Sequence, residues 1–209
     1  MKSIFLAGED DVTKACIKKI IYHCDPETVI ITDLPARGGQ LKSLINQFNR
    51  LSLDNPVILL TDLDNNSCPP ELISKLFQGI VKEPDFVFNI ACDEAESWLM
   101  ADKENFCNYF GIPIQAIPGI VNIGSALRPY HELGFPVKSS FYLVNNIIPL
   151  SNQDKTIKMM APAKGSYKGP EYNSAITPFI TNHWNIENAS VNSDSLRKCV
   201  SRITRTLLS

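Results

Sequence analysis

Val57-Ile58-Leu59-Leu60-Thr61-Asp62-Leu63-Asp64 is the stretch that decides the fold. Four aliphatic residues in a row leave no polar face, so the segment reads as a strand buried on both sides, as in the middle of a parallel sheet. Asn55-Pro56 punctuates the chain before it and Asn65-Asn66 after it, so the strand stops where the acids begin. In open α/β sheets, ligands bind outside the carboxyl ends of the strands. An Asp-x-Asp stands at that place here.

The same grammar extends in both directions. Ser3 to Ala7 is an apolar run ended by Gly8, and Val12, Ala15, Cys16 and Ile20 mark a helix over Asp11 to His23. Thr28-Val29-Ile30-Ile31-Thr32 is β-branched and predicts a second strand. Leu41, Leu44, Ile45 and Phe48 mark a second helix, and Cys68-Pro69-Pro70 opens another. Phe86 to Ala91 is a fourth strand, followed by helices over Asp93 to Ala101 and Lys103 to Phe110. Strand-helix alternation predicts an α/β fold, a Rossmann-like, mostly parallel sheet with flanking helices.

Beyond Phe110 the pattern weakens. Pro113, Pro118, Pro129 and Pro136, with glycines between them, predict a loop-rich stretch. Two helices, about Glu171 to Asn182 and Ser193 to Leu207, close the chain, the last capped by Ser193 or Asp194. The expected organisation is a core over 1–110 and a loop-rich, mainly helical extension over 111–209, packed on that core.

Composition sets the outer bounds. With 209 residues, 44% of them hydrophobic, the chain can bury a core without covalent staples. No run of about 18 apolar residues predicts a membrane span. Met1 to Asp10 is too short for the apolar region of a secretion signal, so a cytoplasmic protein is expected. The six cysteines show no C-x-x-C spacing, which predicts free thiols rather than a zinc or redox site. Residues 151–209 carry a net charge of +4 and residues 1–150 carry −6. That asymmetry suits cations on one side and a phosphate backbone on the other, or simply solvated helices.

Two carboxylates as close as Asp62 and Asp64 repel each other unless a cation lies between them. The first strand ends in Gly8-Glu9-Asp10-Asp11, so if strands one and three are neighbours, Glu9 joins the pair. Glu9, Asp62 and Asp64 are therefore the candidate metal ligands, with Mg²⁺ or Mn²⁺ as the hard cation they suit. A plainer reading makes Asp62 and Asp64 turn formers and Glu9 to Asp11 a helix start. Arg37-Gly38-Gly39 and Lys164-Gly165-Ser166-Tyr167-Lys168-Gly169 are loops able to approach phosphates, which makes Arg37, Lys164 and Lys168 the candidate nucleic-acid contacts. His23, His131 and His183 have no metal spacing, and neither a P-loop nor a serine triad can be assembled.

An N-terminal strand ending in Gly8-Glu9, a helix, and a later strand ending in Asp62-Leu63-Asp64 together resemble the Toprim domain. Asn89-Ile90-Ala91-Cys92-Asp93-Glu94-Ala95-Glu96-Ser97-Trp98-Leu99-Met100-Ala101-Asp102 is similar to a motif of compact bacterial Toprim-like proteins, related to the overcoming-lysogenization-defect nucleases. Gly165 to Asn173 and Ser193 to Arg197 also look like stretches of that group. The resemblance implies that Glu9 is an acid/base residue, that Asp62 and Asp64 hold metal, and that Glu96, less surely Glu94, is a further acid of the site. It also implies a divalent-metal-dependent nuclease acting on DNA or RNA, an anti-phage defence effector controlled by a partner ATPase. The family's common order is Glu before Gly, and here Gly8 precedes Glu9. That motivates the alternative, a non-catalytic interaction subunit of an ATPase complex. A phosphorylation receiver ranks third, since Ala91-Cys92 stands where its hydroxyl would follow strand four. A homo-oligomer is left open.

Overall fold

The computed structural model describes residues 2–35, 40–64 and 66–209, apart from the side chains of residues 41 and 42. The chain divides into two compact units, Met1–Cys92 with Arg197–Ser209, and Asp93–Leu196.

The first unit follows the alternation: β1 (Ser3–Gly8), α1 (Asp11–Cys24), β2 (Val29–Asp33), α2 (Gln40–Ser43), α3 (Ile45–Leu51), β3 (Val57–Asp62), α4 (Pro69–Leu76) and β4 (Phe86–Ala91). The four strands form one all-parallel sheet in the order β2-β1-β3-β4, flanked by helices. This is an α/β fold. Strand β4 is buried throughout and β3 up to Thr61, as their mostly apolar runs require, whereas Val29 and Ile31 of the edge strand β2 are exposed. Helix α1 starts on a reciprocal cap between Asp10 and Thr13 and buries Val12, Cys16, Ile17, Ile20 and Ile21 on the sheet-facing stripe.

Gly8 has a specific reason. A Cβ there would stand 2.9 Å from Lys14 Cγ and 3.0 Å from Thr13 Oγ1, so only glycine lets the tip of β1 pass the start of α1 so closely. One helix of the sequence reading is broken: α2 and α3 are separate because Leu44, at φ −95° and ψ 0°, leaves helical geometry between them.

The second unit contains α5 (Ala95–Ala101), α6 (Lys103–Phe110), β5 (Ile120–Ser125), β6 (Arg128–Leu133), α7 (Ser139–Tyr142), α8 (Asp154–Met160), α9 (Tyr172–Asn182) and α10 (Ile186–Val191). Helix α11 (Asp194–Leu208) follows, and from Arg197 onward it belongs to the first unit. Lys2 Nζ donates to Thr206 O at 2.6 Å, Thr204 Oγ1 lies 3.2 Å from Cys24 Sγ, and Cys199 and Ile203 are fully buried. All six cysteines stand outside any disulfide. No helix among the described residues is long and apolar enough to cross a membrane.

The loop expected between Phe110 and Pro136 is partly a hairpin. β5 and β6 pair antiparallel, with Gly124 opposite Pro129. Those two residues made the stretch read as loop, yet a two-stranded ribbon tolerates both, since its outer groups face away from any ladder. The β-branched cluster Ile120-Val121-Asn122-Ile123 was the overlooked signal. Helix α10 was missed as well, because at six residues it is too short for its period to show.

Trp98, Leu99 and Met100 are wholly buried in the second unit, and Phe106, Phe110 and Phe179 pack with ring centroids 4.7–5.6 Å apart. Ser193 Oγ accepts from Leu196 N at 3.2 Å and so caps α11. The buried Glu132 of β6 accepts from Ser193 Oγ and from Ser195 N, both at 2.6 Å. Burial pushes its carboxyl up to about 7 against the bonds from Ser193 and Ser195, and burial likewise pushes Asp93 up to about 6. A raised acid binds its proton more tightly when folded, so stability is highest where both folded and unfolded carboxyls are protonated and falls as pH rises. Urea midpoints should therefore decline between about pH 4.5 and pH 7, and Glu132→Gln should flatten that decline. An unchanged slope in Glu132→Gln would assign the pH dependence elsewhere.

Candidate metal centre

The order β2-β1-β3-β4 makes β1 and β3 neighbours, the condition on which the candidate site depends. Their register pairs Gly8 with Leu60, so Glu9 emerges beside Thr61. Glu9 Oε1 accepts a hydrogen bond from the hydroxyl of Thr61, a fully buried side chain. Glu9 is thereby turned towards β3 rather than away from it. Thr61 was not singled out in the sequence. Its signal was a hydroxyl at the last buried position of a strand otherwise aliphatic.

Asp62 is the last residue of β3, half-buried and paired in register with Ala91 of β4. Leu63 N donates to Ala91 O at 2.9 Å, which extends the pairing beyond the strand. Strand alternation sends Thr61 and Asp62 to opposite faces, so Glu9 sits with Thr61, and Asp62 reaches the common edge from the other face. Asp64 has φ 53°, in the left-handed region that Asp tolerates better than most residues. This turn ends the extended run and re-aims the second acid of the Asp-x-Asp. Backbone of this kind clusters at functional sites.

Asp10 and Asp11 have a plainer role. Asp10 caps α1 through Thr13 N at 2.8 Å, and Asp11 lies in the first helical turn, where a negative charge suits the helix dipole.

The donor chemistry of Glu9, Asp62 and Asp64 fits a hard divalent cation: three carboxylates, the first of them bonded by the Thr61 hydroxyl, and no sulfur or imidazole. Among the described residues, no three His, Cys, Asp or Glu side chains stand gathered as a ready cation cage. What the fold supplies is acids on adjacent strand tips.

The remaining acids of the sequence reading lie in the second unit. Glu94 and Glu96 begin α5, and both are buried. They turn to different partners, as two residues this close on a helix must. Glu96 Oε1 accepts from Lys168 Nζ and from Tyr172 Oη, each at 2.9 Å. Glu94 accepts from Ser140 N at 2.7 Å and lies 3.6 Å from Lys138 Nζ. Asp93, at φ 68°, accepts from Ser139 N at 2.9 Å. A pocket of about 580 Å³ opens over this region, lined by Glu94, Lys138, Phe141, Tyr167 and Lys168.

Lys168, expected to meet phosphate, thus has its ammonium on Glu96 and over the Tyr172 ring at 4.4 Å from the centroid. Lys164 and Tyr167 are exposed. Arg37 falls outside the described residues. Lys138, Ser139 and Ser140 were missed, because residues 137–170 show no clear period and nothing in sequence links them to Glu94.

The chain matches no family model, no curated protein and no solved structure.

Proposed function

We propose that this protein is a divalent-metal-dependent nuclease cleaving phosphodiester bonds of DNA or RNA. The observation that carries the reading is the junction of β1 with β3, where Glu9 leans on Thr61 and Asp62 is the next residue. The resemblance to the Toprim group supports the same reading and extends it to an anti-phage effector governed by a partner ATPase. Asp62 and Asp64, with Glu9, would hold Mg²⁺ or Mn²⁺, which when bound supplies charge stabilisation at a phosphate oxygen and a more acidic water. The hydrogen bond from Thr61 fixes one oxygen of Glu9 and leaves the carboxylate oriented to take or return a proton at the edge of the sheet. Asp62 needs no movement of its strand to present charge, because β3 is locked between β1 and β4.

The test is cation dependence. Incubated with DNA and with RNA in Mg²⁺ or Mn²⁺, the protein, alone or with its ATPase, is expected to cut one of them, and EDTA is expected to stop it. Equal cutting in EDTA removes the reading.

A second reading, a non-catalytic interaction subunit of an ATPase complex, is favoured by the order Gly8-Glu9. Calorimetry showing no uptake of Mg²⁺ or Mn²⁺ would decide for it.

A further inference from the structure

The first unit has a second cleft, at the opposite end of the sheet from the acids. Ile73 and Phe77 of the α4 region, with Phe86 at the start of β4, give it an apolar floor, and Lys82, Arg202 and Arg205 stand around it. Its volume is about 230 Å³. Strand β4 runs from Phe86 at this cleft to Ala91 beside Asp62, five steps of about 3.3 Å, so roughly 16 Å separate the two places. The cleft is therefore no part of the acid edge.

Three cations converge here. Among the described residues, no carboxylate stands within 4 Å of Lys82, Arg202 or Arg205 as an ion-pair partner, although Glu83 and Asp85 lie near enough to be felt by Lys82. Lys82 Nζ instead donates to two backbone carbonyls, Phe86 O at 2.6 Å and Glu83 O at 3.0 Å. Helix α11 holds its two arginines in place, since they lie three apart with Ile203 buried between them. Thr206 on the same rim has its carbonyl tied to Lys2. The floor is fixed too: Phe77, Phe86 and Phe88 pack with centroids 5.3–6.1 Å apart.

We propose that this cleft is a binding site for a small oxyanion carrying an apolar group, such as an aryl phosphate or carboxylate. The guanidinium pair would take the oxygens in its planar fork, and Ile73 and Phe77 would cover the substituent. Mutual repulsion of the cations points the same way. Partial desolvation against the Phe86 carbonyl, then the charge of Arg202, hold the Lys82 ammonium below its ordinary value, with Asp85 and Glu83 offsetting part of it. An anion relieves that repulsion, and a bare phosphate leaves the apolar floor wet. The site stands apart from the metal reading.

The test uses the full chain in EDTA, so that no divalent cation can carry phosphate to the acid edge, and repeats it in Asp62→Ala. Phenyl phosphate is expected to bind one per chain, about tenfold tighter than inorganic phosphate, the gain from burying on the order of 50–60 Å² of ring. Arg202→Gln combined with Arg205→Gln should weaken both ligands by about tenfold or more. Ile73→Ser, at a position 37% exposed, should remove the preference for phenyl phosphate and leave inorganic phosphate unchanged. Thermal melts confirm that each variant is folded. No saturable binding by about 10 mM, equal binding by the double arginine variant, or equal affinity for the two phosphates overturns the proposal.

Discussion

On the nuclease reading, Asp62→Asn is expected to reduce cation-dependent cleavage by about a thousandfold or more while costing the metal-free protein little stability. The change keeps the shape of the side chain, so the β3–β4 register, in which residue 62 faces Ala91, has no reason to move. What is lost is one negative charge at the end of a buried strand. A hard cation gains most of its affinity from such charges, and an amide oxygen replaces the geometry but not the field. Carboxylates two residues apart repel without a cation, so removing one of them is expected to cost the apo protein little. Cleavage assays beside thermal melts separate the two effects. Loss of cleavage together with a lower melting temperature would make Asp62 a structural residue and return the case to the interaction-subunit reading.

Trp98→Ala is expected to cost about 3–5 kcal/mol, enough to unfold the second unit of a marginal protein. Trp98 is wholly buried, and its indole Nε1 donates to Ser195 Oγ at 2.8 Å. Its carbonyl accepts from Trp184 Nε1 at 3.3 Å, so the segment joins α5 to the stretch before α10. Alanine opens a cavity and removes the indole donor from the Ser195 hydroxyl, which also lies 3.3 Å from Ser193 Oγ. Trp98→Phe keeps most of the volume and should cost about 1–2 kcal/mol, chiefly the hydrogen bond. Urea denaturation measures both. A loss under about 1 kcal/mol for alanine would mean that the site collapses freely and is not the keystone its burial implies.

The legibility of this chain follows from where its signals are local. Val57 to Asp62 and Phe86 to Ala91 announce themselves because a strand buried on both faces is apolar at most positions rather than at every second one. The adjacency of β1 and β3 followed from the crossover rules, and the Glu9–Thr61 bond accords with it. Helix starts were equally plain, since Asp10, Cys68-Pro69 and Ser193 sit where caps and first-turn prolines belong. Long-range polar chemistry was not legible. Nothing near Glu96 in sequence names Lys168 or Tyr172, 72 and 76 residues away. The basic cleft joins residues 82 and 202 through a helix that the sequence could only describe as amphipathic. The β5–β6 hairpin was hidden by residues that usually break strands, Gly124 and Pro129.

The division of the chain bears on how it is made. The first unit is built from residues 1–92 and 197–209, and the second from the segment between them. On the ribosome, the parallel sheet emerges first yet lacks the helix that carries Cys199 and Ile203 until the whole second unit has followed it. The intervening unit is contiguous, so all of its own residues are present once residue 196 has left the exit tunnel. Order of synthesis and order of completion are therefore reversed, and a ribosome stalled before codon 197 would display an open first unit to any chaperone or protease nearby.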